Sequence, residues 1–308
     1  MTLLQTPPDS AAPPVHSTAT RRSLTDVVSR VLYVRPKLRV TALLLLPMLW
    51  LGVLYIGSLA LLFITAFWTT DSFTSKVIPA FTLENFAEIL TQPAYQATAL
   101  RTIGIALAVT LVCMSLALPL GLYMAKVASP RMRAVLAIGI TLPLWAGYLV
   151  KVFSWRITFS AGGPLDWLLA PLGMTGPGYG TAALIITLSY LWFPYMAVPV
   201  YSAFRQIPDN LLDASSDLGA RSWATVRTVA IPLLKPAFIA GSIFTFSLSL
   251  GDYIAAQFVG GKTQVIGTVI ASNINLNPPL AAAFGIVPIL VVVLYLFLAR
   301  KTGALKAL

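Results

Sequence analysis

Ile207-Pro-Asp-Asn-Leu-Leu-Asp-Ala-Ser-Ser-Asp-Leu-Gly-Ala-Arg221, followed by Val229-Ala-Ile-Pro-Leu-Leu-Lys-Pro236, is a polar stretch set between apolar runs long enough to cross a bilayer. Leu211, Leu212, Ala214, Ser215 and Leu218 fall at helical spacing and give it a mixed apolar and small face. Pro208 followed by Asp209 reads as a helix start, with Asp209 predicted to cap the exposed amides. Gly219 suits a helix C-terminus, where a left-handed residue closes the last carbonyls. Ser222 is predicted to cap a second short helix running through Trp223, Val226 and Val229 to Pro232. The result is a helix-turn-helix lying along a membrane surface, and its small residues allow a partner to approach closely. An amphipathic helix that only rests on lipid is the alternative.

Composition agrees with a membrane setting. The 308 residues are 57% hydrophobic and only 10% charged, against roughly 25% charged in a soluble domain. Mean hydropathy is +0.83. The net charge of +11 sits in short runs between apolar segments, which is what membrane orientation requires and argues against nucleic acid as a partner. Cys113 stands alone inside an apolar run, so there is no disulfide framework, and no His/Cys/carboxylate cluster has metal-ligand spacing. His16 lies in a Pro/Ser/Thr-rich leading segment that reads as a disordered, cytoplasmic tail over residues 1–40. That tail lacks the apolar core of a signal peptide.

Six stretches have the roughly 20 mainly apolar residues that a span needs: 41–67, 97–125, 133–156, 181–204, 236–257 and 279–299. Each must be helical, because backbone groups in hydrocarbon are satisfied only within the segment. The expected fold class is therefore all-α and polytopic, with residues 41–300 as the transmembrane domain and 301–308 as a short tail. Pro47, Pro119, Pro143, Pro194, Pro199 and Pro288 inside these stretches read as packing kinks. With both ends cytoplasmic, sixteen of the 21 Lys and Arg fall inside, and only Lys76, Arg101, Lys151, Arg156 and Lys262 lie outside or near outer helix ends. The same orientation puts residues 205–235 in the cytoplasm. Gly261-Lys262-Thr263 looks like the tail of a P-loop, but the first glycine is replaced by Ala256 and the tripeptide falls outside.

The polar stretch resembles the cytoplasmic coupling loop, the "EAA" loop, of permease subunits of ABC importers. That family's pattern is Glu-Ala-Ala, three residues, Gly, nine residues, then Ile-x-Leu-Pro. The matching positions here are Asp213-Ala214-Ser215, Gly219, and Val229-Ala230-Ile231-Pro232, with the spacing kept. The resemblance implies a type I importer permease of a prokaryotic inner or plasma membrane. It also implies an ATP-binding subunit dimer gripping the loop at Asp213, Ala214, Ser215, Gly219 and Pro232. A second permease subunit, identical or paralogous, and an extracytoplasmic substrate-binding protein complete the implied assembly. The chain itself is then a transport subunit rather than an enzyme, with no cofactor, and ATP is hydrolysed by its partner.

Over nearly all of residues 41–300 the chain is most similar to the spermidine/putrescine branch, and to the first of that system's two permeases. Leu142–Arg156, Gly163–Leu169, Ser249–Tyr253 and Val259–Lys262 carry this likeness. Permeases for ferric iron, thiamine, phosphonates or opine-like compounds share the same plan and remain alternatives. A polyamine is a flexible polycation, so its path should offer carboxylates and aromatic faces. Asp252 and Tyr253, with Trp145, Tyr148 and Trp155 and then Trp192 and Tyr195, are the candidates. Against this, Asp252 could lie hydrated at the outer interface or pair with Lys151 or Arg156, and the aromatics could form an interfacial belt. Asp166 is expected in an external Gly/Pro-rich loop, 158–180, that carries an apolar patch and a short helix. An ion-driven secondary transporter is the rival class, but no internal repeat is visible and the charges avoid span centres.

Overall fold

The structure is a computed structural model that describes residues 36–71, 74 and 76–301. The expected disorder of the leading segment and the placement of His16 fall outside the described residues. The chain divides into two compact units, Met1–Ala60 and Leu61–Leu308. In the first, helix α1 (Pro36–Trp50) contains Pro47 and opens into a π-helical turn, Leu51–Ile56. Helix α2 (Gly57–Thr65) completes the apolar segment Leu43–Thr65, long enough to cross a membrane.

In the second unit, a two-residue hairpin (β1 Thr69–Thr70, β2 Val77–Ile78) follows α2, paired antiparallel with Thr69 opposite Ile78. Helix α3 (Glu84–Thr91) then brings in buried Asn85, whose Nδ2 donates to the carbonyls of Ala66 at 3.0 Å and Trp68 at 2.8 Å. A helix end that would leave carbonyls bare is thus closed by a side chain. Three long helices form the centre: α4 (Pro93–Leu122), α8 (Thr181–Gln206) and α11 (Ile231–Leu250), each packed on the other two. Their shared core includes Val109, Cys113, Leu188, Leu191, Val200 and Leu234, all fully or almost fully buried.

Between these lie α5 (Pro130–Trp145), α6 (Tyr148–Thr158) and α7 (Pro164–Leu169), the last being a short helix in the Gly/Pro-rich loop. The polar stretch supplies α9 (Asp209–Asp217) and α10 (Ser222–Thr225). Helices α12 (Ile254–Val259), α13 (Ile266–Asn273) and α14 (Pro278–Lys301) complete the chain. Among the described residues five helices are long and apolar enough to cross a membrane, or six if the bent pair α5 and α6 is one span. The all-α, polytopic expectation therefore holds.

Two of the expected spans are corrected. The stretch 133–156 is not one straight helix: it breaks after Trp145 and turns by 101° into α6. The stretch 236–257 ends at Leu250, and α12 is a separate short helix beyond a turn at Gly251-Asp252. Buried hydroxyls on the long helices are satisfied by bonding back onto the preceding turn. Thr102 donates to Thr98 O at 2.7 Å, Thr110 to Ala106 O at 2.7 Å and Thr245 to Gly241 O at 3.1 Å. Thr102 Oγ1 also accepts from Ile266 N–H at 3.0 Å, which closes the start of α13 against α4.

Gly241 sets the approach of α11 to α8. A Cβ there would stand 2.7 Å from Met196 Sδ and 3.0 Å from Met196 Cα. Small residues at such crossings let membrane helices pack backbone to backbone. Gly241→Leu is expected to destabilise the protein by about 1–3 kcal/mol, the usual penalty of overpacking. Gly104→Leu, at a position with open space around it, should be near neutral. Thermal unfolding of the two variants in detergent, read by size-exclusion chromatography, checks this difference.

Candidate functional site

Two features stand out chemically, the polar loop after α8 and a pocket around Asp252. In the loop, α8 runs to Gln206, and buried Ile207 and Pro208 turn the chain into α9. Asp209 does not cap α9 as expected, since no side chain bonds the first amides there. Instead Lys126, in the π-helical turn Tyr123–Val127 that ends α4, donates to Asp209 Oδ1 and to the Ile207 carbonyl, each at 2.6 Å. A charged ammonium thus holds both the start of α9 and the end of α8. Sequence reading counted Lys126 only as an orientation charge, because nothing local points to a partner 83 residues away.

The far end of α9 closes as expected at Gly219. Its φ is +82°, Gly219 N–H donates to Ser216 O at 2.8 Å, and Ala220 N–H donates to Ser215 O at 3.1 Å. This is the Schellman pairing that satisfies the last carbonyls. Ser222 is not the cap of the following helix: Arg221 takes that position, and Ser222 is the first helical residue. Nor does that helix stop at Pro232. Helix α10, the π-helical turn Val226–Ala230 and α11 form one apolar helical run from Ser222 to Leu250. Pro232 has no N–H for the Thr228 carbonyl, and the ladder widens into π geometry just there.

Ser215 has a role its size did not reveal. Its Oγ lies 3.0 Å from Oγ1 of buried Thr225, so α9 and α10 are tied by a hydroxyl pair. Leu212 packs into the central core, while Leu211, Leu218 and Trp223 are exposed at 44, 90 and 66%. Asp213, Ala214, Gly219 and Pro232 are exposed as well. The loop is thus braced from beneath and presents an apolar, small-residue face outward.

The second feature arises where two helix breaks meet. Tyr148 opens α6 directly after the bend at Ala146-Gly147, and Asp252 sits in the turn between α11 and α12. The Tyr148 hydroxyl donates to Asp252 Oδ2 at 2.5 Å, and Ala255 N–H donates to Oδ1 at 2.9 Å. Asp252 is only 9% exposed. Beside it the Tyr148 and Trp192 rings lie 6.2 Å apart and nearly parallel. Together with Ser247 and Tyr253 these residues line a cavity of about 340 Å³.

Of the residues expected on a substrate path, Asp252, Tyr253, Tyr148 and Trp192 come together, and the Tyr195 ring lies tilted behind Trp192, 6.0 Å from it. Trp145 does not join them: it ends α5 at the bend and is 88% exposed. Trp155 packs instead on Phe159 and Tyr190, at 5.2 and 5.5 Å, and lines a separate apolar groove with Pro143 and Pro194. Asp252 is buried, and among the described residues it pairs with neither Lys151 nor Arg156. Its partner is Tyr148, while the Arg156 guanidinium lies over the Phe258 ring, 5.4 Å from its centroid. Among the described residues no group of three His, Cys, Asp or Glu could hold a metal ion.

Outside the long helices, Asp166 staples its loop to itself. Oδ2 accepts from Gly162 N–H at 2.8 Å and Oδ1 from Gly176 N–H at 2.7 Å. These two donors, Gly176 foremost, hold the Asp166 carboxyl below the usual carboxylate range.

Residues 117–301 match the family described as binding-protein-dependent transport system inner membrane component. The chain belongs to this family. It is 40% identical over 298 residues to the inner membrane ABC transporter permease protein YdcU of Escherichia coli K12, covering 91% of this chain and 95% of that protein. It is 32% identical over 211 residues to the spermidine/putrescine transport system permease protein PotB of Salmonella typhimurium LT2, covering 67% and 72%. A bacterial alginate ABC transporter, solved in complex with an alginate pentasaccharide-bound periplasmic protein, superposes with a TM-score of 0.68 at 14% identity over 91% of this chain and 96% of that one. At that identity the likeness shows the fold. The protein is an ABC importer permease, a transport component rather than an enzyme.

Two outcomes follow for the permease. Lys126→Ala should speed proteolytic cleavage within 207–221 while leaving the long helices intact, and Lys126→Arg should restore protection. The contact with Asp209, whose side chain is 79% exposed, contributes only about 0.2–1 kcal/mol, so the bond to the Ile207 carbonyl carries most of the effect. Because the Asp166 pKa is depressed on folding, its contribution is present above the unfolded value of about 3.9 and is lost as pH falls through the lower folded value. Asp166→Ala should therefore raise hydrogen exchange at Gly162 and Gly176 at neutral pH, and wild-type protection should weaken only in that acid range.

Proposed function

We propose that this permease imports polyamines of the spermidine/putrescine class, driven by a separate ATP-binding subunit dimer that docks on the polar loop. The observation that carries the substrate reading is the likeness to PotB. The pocket chemistry supports it, since a buried carboxylate beside two aromatic faces suits a cation and disfavours an anion. The coupling reading rests on Asp213, Ala214, Ser215, Gly219 and Pro232, which lie on a stiff, outward-facing loop with the family spacing.

In this reading both termini and the loop face the cytoplasm, residues 1–40 and 301–308 are tails, and residues 41–300 form the membrane domain. A second permease, identical or paralogous, forms the path together with this one, and an extracytoplasmic binding protein delivers the substrate. The periplasmic protein bound to the alginate transporter of the same fold supports that last partner. ATP binding closes the ATPase dimer, which moves α9, and the helical run from Ser222 to Leu250 carries the motion into the membrane. The same role with another substrate is the second reading, favoured by the higher identity to YdcU, whose name gives no substrate.

Uptake of labelled spermidine and putrescine into cells with and without this subunit tests the substrate. Loss of ATP-dependent uptake on its removal is expected, and unchanged uptake would move the substrate elsewhere. Gly219→Trp adds bulk to the exposed face and strains a left-handed position by roughly 1–2 kcal/mol. It should abolish copurification of the ATPase, and Asp213→Lys should weaken it. Full transport by both variants would remove the coupling role.

A further inference from the structure

The pocket between α6, α8 and the α11–α12 turn has a composition that a purely structural contact does not need. Its floor is a carboxylate that is 91% buried, faced by the Tyr148 hydroxyl and the Ala255 and Ile254 amides but by no cationic partner among the described residues. Neutral donors offset only part of the desolvation cost of a carboxylate withdrawn from water, and a facing cation offsets more. One wall is the Tyr148–Trp192 ring pair. Another is Ser247, whose Oγ is buried and has no hydrogen-bond partner. The remaining side is open, past half-exposed Tyr253.

We propose that this pocket is an amine subsite that takes one primary ammonium group, with Asp252 as its counter-ion. Ser247 Oγ and the free lone pairs of Asp252 accept its N–H donors, and the faces of Tyr148 and Trp192 supply cation–π contact. The Trp192 indole N–H is itself a donor, so its ring and not its nitrogen serves the ligand. A cavity of about 340 Å³ lies at the small end of ligand pockets, which run from about 300 to 1,000 Å³. It holds an aminoalkyl end, and the rest of the ligand leaves through the open side. The inference rests on the permease reading above and deepens its substrate.

A competing role is visible and can be separated. Asp252 Oδ1 accepts from Ala255 N–H and so caps α12, and a capping Asp has no need of a ligand. Asn caps a helix as well as Asp does but carries no charge. Asp252→Asn therefore preserves the cap and removes the counter-ion. In cells making the complete transporter, Asp252→Asn is expected to raise the KM for putrescine about tenfold or more, the effect of losing a charge-assisted hydrogen bond. Ser247→Val, which leaves the cap untouched, should raise it several-fold. n-Butylamine should compete with putrescine in the wild type and quench the tryptophan fluorescence of the purified complex, and it should do neither in Asp252→Asn. 1-Butanol, of the same length without the charge, should have no effect on either protein. Unchanged KM in both variants, in a transporter whose uptake is still abolished by Gly219→Trp, would overturn the subsite and leave the permease reading standing. A wild-type complex that imports no polyamine yet shows Asp252-dependent quenching by n-butylamine would support the subsite and overturn the polyamine assignment. Absence of both import and quenching would overturn both.

Discussion

In hydrocarbon a backbone carbonyl or amide has no water to fall back on, and the architecture of this permease follows from that constraint. The long helices satisfy it along their own lengths, with threonine hydroxyls bonding back to the preceding turn. Wherever a helix stops short of the surface, something else must close the ends. The bend after Trp145 and the turn after Leu250 are two such interruptions, and they meet. Asp252 caps the new helix on one side and receives the Tyr148 hydroxyl from the other. The polar pocket is thus a consequence of broken helices: irregular backbone inside a membrane domain gathers polar side chains, and these make a place where a polar ligand can sit.

The polar loop obeys the opposite demand. It is polar and exposed yet lies between two long apolar helices. Hydrogen bonds hold it at three points: Lys126 clamps its entry, Ser215 and Thr225 join its two helices, and Gly219 closes the turn. None of these is strong alone, yet together they fix α9 to the ends of α4 and α8 and to the start of the run into α11. That run is unbroken from Ser222 to Leu250. At about 1.5 Å per residue its 29 residues reach across a bilayer, and the Asp252 turn comes directly after its last residue. The braced loop and the pocket therefore occupy opposite ends of one helical run, with the π-helical turn at Val226–Ala230 as its irregular segment.

Much of this was legible beforehand, and the failures share a cause. Apolar runs of about 20 residues identify spans because the hydrophobic requirement is averaged over the whole helix. The same averaging hides a two-residue break, so Ala146-Gly147 was read through as one helix and Gly251-Asp252 as the interior of another. Both carried a local signal in their glycine, and Pro143 stands just before the first. Gly219 was read correctly because its role is local: a left-handed closure depends only on its neighbours. Asp209 and Ser222 were read as caps for the same local reason and were wrong, because Lys126, distant in sequence, competes for Asp209, and the chain enters α10 already extended at Arg221. The Ser215–Thr225 pair joins two elements whose orientation no pattern along one of them reveals.

The fold alone does not choose the cargo. A transporter of an acidic polysaccharide shares it with a TM-score of 0.68 at 14% identity, so the same arrangement of helices accommodates polyanions. A carboxylate buried as deeply as Asp252 would repel such a ligand at short range, where the low dielectric leaves charges poorly screened. Selectivity then falls to the side chains gathered at the helix breaks, Tyr148 and Asp252, together with the long-helix residues beside them, Trp192 and Ser247. If the pocket reads an amine, its sign discrimination comes from one carboxylate and its size limit from the Tyr148–Trp192 wall. Tyr148 and Trp192 also pack against the central core, so the wall that limits the ligand is held in place by the same packing that joins α4, α8 and α11.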